Sequence, residues 1–233
     1  MSLLKVSDLV SYIGMFTILQ GVDMDIEPGE AVAILGRNGA GKTTFLRTVM
    51  GLVKTRSGTI ELNGKSLVGK PSYKVSRLGI GYCPEDYGVF NELTIEENLI
   101  LATHQDDAAT KERIAYVLDL FPDLEKAFKR PARTLSGGQR QMLSVGRSLV
   151  NDVRLILIDE PSKGLAPVVV EKMALALREI AKRSTILLVE QNFSMAMAVA
   201  KRYYMIDEGR TVHEGLMDEL AENKELQQQY LGL

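Results

Sequence analysis

A chain of 233 residues is long enough for one large domain with its own core. A composition of 45% hydrophobic and 25% charged residues excludes intrinsic disorder, collagen and low-complexity arrays. The net charge of −2 provides no basic field, so we expect no nucleic-acid partner, and a single cysteine, Cys83, suits a reducing compartment. The longest apolar run, at 195–200, is too short to span a membrane, and the N-terminus shows no secretory signal, so we expect a soluble, cytoplasmic chain.

Short apolar runs alternate with helical periodicity along the chain, which predicts an α/β fold with a parallel sheet. The runs are bounded by polar or turn residues, as buried parallel strands are, and they lie at 30–35, 154–158 and 185–189. The clearest helical stretches lie at 44–50, 111–121 and 168–180.

Two other parts of the chain have a different pattern. Residues 22–26 alternate apolar and acidic side chains, and residues 59–62 precede an Asn-Gly turn, so approximately 1–30 and 58–80 are expected to form a small antiparallel β part. Strand signals are absent from about 92–150, where Thr94 and Glu97 fit a capping box. This predicts a helical subdomain inserted into the α/β core.

Residues 36–44 read GRNGAGKTT, directly after a predicted strand and before a predicted helix, which is the context that a phosphate-binding loop requires. Glycines let backbone N–H groups curl round a polyphosphate, and the helix N-terminus adds positive potential. Lys42 is expected to reach the β- and γ-phosphates, and Thr43 to ligate Mg²⁺. The nucleotide-binding residues predicted in this loop are Gly36, Arg37, Asn38, Gly39, Ala40, Gly41, Lys42, Thr43 and Thr44.

An acidic pair, Asp159 and Glu160, ends the second apolar run, LILIDE. Ligands bind at the carboxyl ends of parallel strands, so this pair is expected to face the phosphate loop. Asp159 can hold Mg²⁺, directly or through water. Glu160 can orient or deprotonate a water molecule that attacks the γ-phosphate.

Residues 135–139 read LSGGQ, and the three motifs in this order resemble the ABC (ATP-binding cassette) ATPases over essentially the whole chain. The resemblance implies a P-loop NTPase (RecA-like) core in one cassette, 1–233, with ATP and Mg²⁺ as cofactors. It also implies that two cassettes pack head-to-tail, so that one signature closes over the nucleotide on the other phosphate loop. The signature residues are Ser136, Gly137, Gly138 and Gln139. The residues themselves, without the resemblance, predict either a second anion site or an ordinary helix start capped by a serine.

The segments GRNGAGKTT, VFNELTIEENL, LSGGQRQMLSVGRSL, DEPSKGLAP and LLVEQN are similar to the ATP-binding subunits of branched-chain amino acid importers. This implies an ATP-hydrolysing motor, peripheral on the inner face of the cell membrane, that works with permease subunits and a homologous or identical second cassette. The alternatives are a non-transport ABC ATPase, a regulatory subunit that does not hydrolyse ATP, and a small-molecule kinase with the same loop.

The same resemblance implies a docking groove at 85–90, after the second antiparallel stretch, for a cytoplasmic helix of the membrane partner. Tyr87, Val89 and Phe90 would provide its apolar contact, or else they pack locally under a loop.

Three positions depart from the general family pattern. Glu85 replaces a glutamine and is expected within reach of Mg²⁺ or its water shell. Gln191 replaces the switch histidine and is expected to contact the γ-phosphate or the attacking water, as a catalytic residue beside Glu160 and Lys42. Ile13 stands at the usual place of the adenine-stacking aromatic, so Tyr12 is expected to stack, with Phe16 as an alternative, unless Tyr12 packs in the core.

Overall fold

The computed structural model describes residues 2–232, which form two β-sheets flanked by helices. Within this range the strands are β1 (Leu4–Ile13), β2 (Phe16–Ile26), β3 (Ala31–Leu35), β4 (Thr55–Leu62), β5 (Lys65–Ser66), β6 (Ile80–Cys83), β7 (Leu155–Asp159), β8 (Thr185–Val189), β9 (Arg202–Asp207) and β10 (Arg210–Leu216). The α-helices are α1 (Lys42–Val49), α2 (Ser72–Ser76), α3 (Ile95–Leu101), α4 (Ala108–Leu120), α5 (Pro122–Lys126), α6 (Gly137–Leu149), α7 (Pro167–Ala181), α8 (Phe193–Val199), α9 (Met217–Glu222) and α10 (Lys224–Tyr230).

The larger sheet has the strand order β10-β9-β3-β8-β7-β6, in which only the edge strand β10 is antiparallel to its neighbour. Every residue of β3, β7 and β8 is buried, because helices or the second sheet cover both faces of these strands. Strand β3 lies between β8 and β9, so the loop that follows it opens at the centre of the sheet's carboxyl edge.

The smaller sheet is antiparallel throughout, with the order β2-β1-β4-β5. Its strands alternate buried and exposed side chains over most of their length, since one face packs on the core and the other meets solvent. The predicted α/β fold, with a parallel core and an antiparallel part, is therefore confirmed.

The two faces of the parallel sheet bury side chains in two separate clusters. On one face, Leu157 packs in a cluster with Phe45 of α1 and the buried residues of the antiparallel sheet. On the other face, Ile158 packs in a cluster with Leu143 of α6 and Met173 of α7. Successive residues of one strand thus point to opposite clusters, which is why the strands are continuously apolar.

The segment between β6 and β7 contains four α-helices, α3 to α6, and its first helix begins where the sequence predicts. Thr94 Oγ1 accepts from Glu97 N at 3.1 Å and Thr94 N donates to Glu97 Oε2 at 2.7 Å, which completes the capping box. The buried Asn98 amide donates to the carbonyls of Phe90 and Leu93, so it ties α3 to the preceding loop.

The structure corrects the sequence analysis in several places. The antiparallel sheet ends at Ser66, whereas 72–76 form α2 and 80–83 form a parallel strand, so segment 85–90 follows the parallel β6 and not an antiparallel stretch. Strands β9 and β10 were not predicted. Strand β9 follows the apolar helix α8 after two residues, which merges their patterns, and most residues of β10 are exposed. Across residues 2–232 no helix has the length and apolarity to cross a membrane.

Candidate active site

The phosphate loop forms a tight turn between β3 and α1. Gly36 has φ 145°, and a Cβ at this position would lie 2.1 Å from the carbonyl oxygen of Ile206, so only glycine fits. Gly41, with φ 108°, precedes α1 and provides no side-chain cap. Within residues 2–232, the backbone N–H groups of Asn38 and Gly39 have no hydrogen-bond acceptor. The turn therefore presents unpaired donors beside the N-terminus of a helix, which is a suitable arrangement for an anion.

Lys42 is the first residue of α1, and its side chain folds back into the loop. It is 4% exposed, and Nζ donates to the carbonyls of Gly36 at 2.8 Å and Arg37 at 3.0 Å. Nζ also lies 3.9 Å from Glu160 Oε1. Burial lowers the pKa of Lys42, although the nearby carboxylates oppose this effect. The ammonium thus lies where an incoming phosphate oxygen could replace the two carbonyls as acceptor.

The remaining loop residues have different surroundings. The guanidinium of Arg37 donates to the carbonyl of Gln229 in α10 at 3.0 Å, so its side chain contacts the C-terminal helix. Ala40 is buried in the core. The carbonyl of Thr44 accepts from the Thr48 hydroxyl inside α1. These three residues can therefore offer backbone groups and shape to a ligand more readily than side chains.

Asp159 is fully buried at the end of β7, directly opposite the phosphate loop. Its Oδ1 accepts from Thr43 Oγ1 at 3.1 Å, whereas its Oδ2 is buried without a hydrogen-bond partner. Burial raises the pKa of Asp159 to about 6, and the Thr43 hydrogen bond opposes the rise only partly. A buried carboxylate oxygen without a partner is costly in a protein and marks a place for a cation.

Glu160 follows in a positive-φ conformation, with φ 45°, and is 8% exposed. Its Oε1 accepts from the Nε2 of Gln191 at 2.6 Å, and the same Nε2 donates to Asn38 Oδ1 in the phosphate loop. The structure therefore brings Glu160, Gln191 and the phosphate loop together, and their catalytic roles stay predictions. A general base and a hydrogen-bond donor here could orient one water molecule.

Sequence reasoning missed Glu190, the residue directly before Gln191. Its side chain is 1% exposed and accepts four hydrogen bonds, from Ser162 N, Ser162 Oγ, Gln191 N and Asn192 N, at 2.8 to 3.1 Å. Burial raises its pKa, and the four donors oppose the rise. Glu190 thus joins the loop after β7, which contains Ser162, to the loop after β8, which contains Gln191 and Asn192. An acidic residue at the end of a buried strand, as at Asp159, was the available signal.

Glu85 lies just beyond the end of β6 and lines one cavity of about 470 Å³ together with Thr43 and Asp159. Its Oε1 accepts from Lys163 Nζ at 2.5 Å, and this hydrogen bond raises the pKa of Lys163. Lys163 Nζ also lies 3.5 Å from Glu160 Oε2. Sequence reasoning gave Lys163 no role of its own: the resemblance implies only that its segment, 161–167, touches the partner cassette, and the contact with Glu85 depends on the fold.

Both candidate stacking aromatics lie at the β1–β2 hairpin. Tyr12 is 39% exposed, and the Arg56 guanidinium lies 6.0 Å from the centre of its ring, so the interpretation of Tyr12 as a core residue is wrong. Phe16 is 75% exposed. Strand β2 continues to Leu19, which packs closely beside Gly41, so the hairpin adjoins the phosphate loop.

The LSGGQ segment lies at the start of α6, and within residues 2–232 no hydrogen bond or ion pair joins it to the phosphate loop. Ser136 Oγ accepts from Gln139 N at 3.2 Å, and Gln139 Oε1 accepts from Ser136 N at 3.0 Å. The segment therefore forms the serine-capped helix start that the residues alone allow. Since the hydroxyl accepts in this cap, its proton stays available for an external acceptor.

Some of the residues at 87–90 fit the predicted docking groove, and others pack locally. Tyr87 lines a cavity of about 400 Å³ between α2, β6 and α6. Val89 is partly buried against the helical core, so it packs locally. Phe90 is 49% exposed, with the guanidinium of Arg147 5.0 Å from the centre of its ring, and Arg147 also donates to the carbonyl of Gly88.

Comparison of the sequence and the fold with known proteins identifies ATP-binding proteins of ABC transporters as relatives. The chain matches the family model for ABC transporters over residues 19–163. BraG of Pseudomonas aeruginosa, a high-affinity branched-chain amino acid transport ATP-binding protein, is 37% identical over 99% of this chain and 100% of its own length. LivF of Archaeoglobus fulgidus, a probable protein of the same kind, is 39% identical over 93% of both chains. A solved ATP-binding subunit of an ABC transporter is 29% identical, with a TM-score of 0.82 over 97% of this chain and 94% of that one.

Proposed function

Because the chain belongs to the ABC transporter family, we propose that it is the ATP-hydrolysing motor subunit of an importer for branched-chain or related amino acids. The observation that carries the proposal is the convergence of Lys42, Asp159, Glu160 and Gln191 at one edge of the parallel sheet. No residue of a motor subunit need touch the transported solute, so the site itself does not identify the substrate. The substrate class is therefore taken from the transport named for BraG and LivF.

The phosphate loop binds the ATP phosphates. The unpaired N–H groups of Asn38 and Gly39 donate to phosphate oxygens, and Lys42 exchanges its carbonyl acceptors for the β- and γ-phosphates. The exposed rings of Tyr12 and Phe16 are both available to the adenine base, and Tyr12 is the proposed stacking residue.

Mg²⁺ fits the residues at the end of β7. The buried, unpartnered Oδ2 of Asp159 and the hydroxyl of Thr43 would hold it, with Glu85 in the same cavity and within reach of its water shell. Across residues 2–232 no three His, Cys, Asp or Glu side chains form a metal cluster. Phosphate and water ligands would complete the coordination of Mg²⁺. When bound, Mg²⁺ supplies positive charge to the phosphates.

Glu160 acts as the general base of hydrolysis. Its carboxylate is nearly buried, and the Gln191 amide fixes the direction of Oε1. Oε1 or Oε2 accepts a proton from the attacking water, while Gln191 orients that water or donates to the γ-phosphate. Asn38 links this amide to the phosphate loop, so the position of the base is fixed relative to the loop that binds the nucleotide.

A second cassette completes each site. Since Ser136 and Gln139 lie on a helix without contact to the phosphate loop of their own chain, they are free to close over ATP held by another cassette. The available serine proton and the N-terminus of α6 then bind the γ-phosphate. Both an identical and a homologous partner cassette satisfy this arrangement.

The membrane subunits dock at the cavity beside segment 85–90. Tyr87 and Arg147 line it, and Phe90 is exposed close by. A cytoplasmic helix of a permease subunit fits such an apolar groove with a polar rim. This contact places the chain on the inner face of the cell membrane.

Glu160→Gln tests the proposal. We expect ATP affinity close to that of the wild type and steady-state hydrolysis lower by about 10² or more, a typical loss for a general base. Sedimentation velocity should show a monomer without nucleotide and an ATP-dependent dimer of this variant, alone or with a partner cassette. Glu171→Gln, at an exposed position on α7, is the matched control and should hydrolyse ATP normally. Normal hydrolysis by Glu160→Gln would contradict the proposal.

A further inference from the structure

Lys163 lies in the turn after Glu160, where its ammonium stands between two carboxylates. Nζ donates to Glu85 Oε1 at 2.5 Å and lies 3.5 Å from Glu160 Oε2. Its backbone N–H donates to the carbonyl of Glu160 at 3.1 Å, which fixes the turn beneath the side chain. The side chain therefore joins β6, which precedes Glu85, to the end of β7.

We propose that Lys163 is a positioning residue for ATP hydrolysis, whose ammonium bridges Glu85 and Glu160 and holds both carboxylates in place. The inference rests on the proposed function, since it assigns Lys163 to the base of that reaction. Lys163 touches neither the phosphate loop nor Asp159, so it acts through the two glutamates.

The carboxylates at this edge of the sheet make a cation beside Glu85 favourable. Asp159, Glu160 and Glu85 bring three carboxylates close to the place of the triphosphate. Lys42 lies 3.9 Å from Oε1 of Glu160 and also acts on Asp159. Arg47 lines the cavity of Glu85, but within residues 2–232 no ion pair joins the two. A carboxylate at position 85 adds a negative charge where phosphates must bind, and that charge costs least when a fixed cation offsets it. Lys163 is the cation that the described structure places on Glu85.

The same contact orients the base. Glu160 Oε1 accepts from Gln191 at 2.6 Å, and Oε2 faces Lys163, so the carboxylate is held from both sides. Without Lys163, only the Gln191 amide and the more distant Lys42 limit its rotation. Because a base must meet its water within hydrogen-bond distance, this loss of orientation lowers turnover more than it lowers binding.

An ordinary surface ion pair is the competing reading, because Lys163 is 59% exposed and such pairs contribute little to stability. The two readings differ in what a substitution changes. A surface pair changes neither kcat nor the unfolding transition, whereas a positioning residue changes kcat alone. Lys182, 68% exposed and paired at i,i+3 with Glu179 at 2.7 Å, provides a matched lysine far from the site.

The experiment compares Lys163→Met, Lys163→Arg and Lys182→Met in the full-length chain. For Lys163→Met we expect kcat lower by about tenfold, which is below the loss of the base itself, and KM for ATP within about twofold of the wild type. Affinity for ADP in EDTA and the urea midpoint should stay unchanged. Lys163→Arg should recover most of the turnover, since a guanidinium can also bridge two carboxylates. Lys182→Met should match the wild type.

A double-mutant cycle isolates the contribution of Glu85. In a Glu85→Gln background the lysine has one carboxylate less to offset, so Lys163→Met should cost only about threefold. An equal cost in both backgrounds, an unchanged kcat in Lys163→Met, or a large loss of ADP affinity would overturn the inference. If the wild type hydrolyses ATP and Glu160→Gln does not, these failures concern Lys163 alone. A wild-type chain without ATP hydrolysis would overturn the proposed function as well.

Discussion

Substitution of Asp159 by asparagine should remove a pH-dependent cost to the stability of the nucleotide-free protein at the end of β7. The folded chain ionises this carboxyl only near pH 6, because burial disfavours the charged form, whereas the ordinary aspartate value is 3.8. Between these two values the unfolded chain has lost a proton that the folded chain retains. The stability that this carboxyl contributes is therefore complete below pH 3.8, falls as the pH rises, and is lost above about pH 6.

The size of the cost follows from the two pKa values. At about 1.4 kcal/mol for each pH unit between 3.8 and about 6, the folded state loses about 3 kcal/mol. In Asp159→Asn the amide oxygen still accepts from Thr43, and the buried amide N–H₂ carries a cost of its own that does not vary with pH. The stability of Asp159→Asn relative to the wild type should therefore rise by about 2 kcal/mol between pH 4 and pH 7, because part of the change already lies below pH 4.

Urea unfolding in EDTA, at pH steps from 4 to 7.5, measures this difference directly. Asp152→Asn, at an exposed position in the loop before β7, is the control, and its stability should run parallel to that of the wild type. Mg²⁺ added with ADP should stabilise the wild type most above pH 6, where the carboxylate is charged. Parallel pH profiles for Asp159→Asn and the wild type, to within about 1 kcal/mol, would refute the argument from burial.

Three further tests, with five variants, address other parts of the site. Gln191→Ala should lower ATP hydrolysis by about tenfold or more with nearly unchanged ATP affinity, because it removes a contact to the base and its water. An unchanged rate of phosphate release would refute the assignment of Gln191 to the position of the switch histidine. Of Tyr12→Ala and Phe16→Ala, the variant that loses the stacking ring should bind a fluorescent ATP analogue about tenfold more weakly, and we expect it to be Tyr12→Ala. Gly36→Ala should abolish the folded loop, since its Cβ would meet the Ile206 carbonyl at 2.1 Å, whereas Gly64→Ala, also at positive φ but in open space, should cost only about 1 kcal/mol in urea unfolding.

The phosphate loop and the pair Asp159 and Glu160 are predictable from the sequence because each motif consists of residues that are close together along the chain. A loop between a strand and a helix, and an acidic pair at a strand end, are local patterns that the fold only has to bring together. The buried strands β3, β7 and β8 are predictable for a similar reason, since their continuous apolar runs match full burial.

Other features depend on tertiary contacts that no local pattern specifies. Lys163 meets Glu85 across 78 positions of the chain, and only the neighbouring positions of β6 and β7 bring the two together. Glu190 follows a buried strand, which is a local signal, but its role in fixing the loop after β7 depends on the hydrogen bonds from Ser162. The strand β10 is mostly exposed and pairs only with β9, so its sequence carries little apolar signal.

The central position of β3 in the larger sheet constrains the order in which the chain can fold during synthesis. Strand β3 emerges early, yet its two hydrogen-bonding neighbours begin only at residues 185 (β8) and 202 (β9). Ala31 pairs with Ile186, and Val32 with Arg202. The antiparallel strands β1, β2, β4 and β5 can pair during synthesis, whereas the nucleotide loop waits for the C-terminal strands. A translation product that ends before β8 would therefore carry the complete phosphate-loop motif without the two strands that flank β3, and we expect it not to bind ATP.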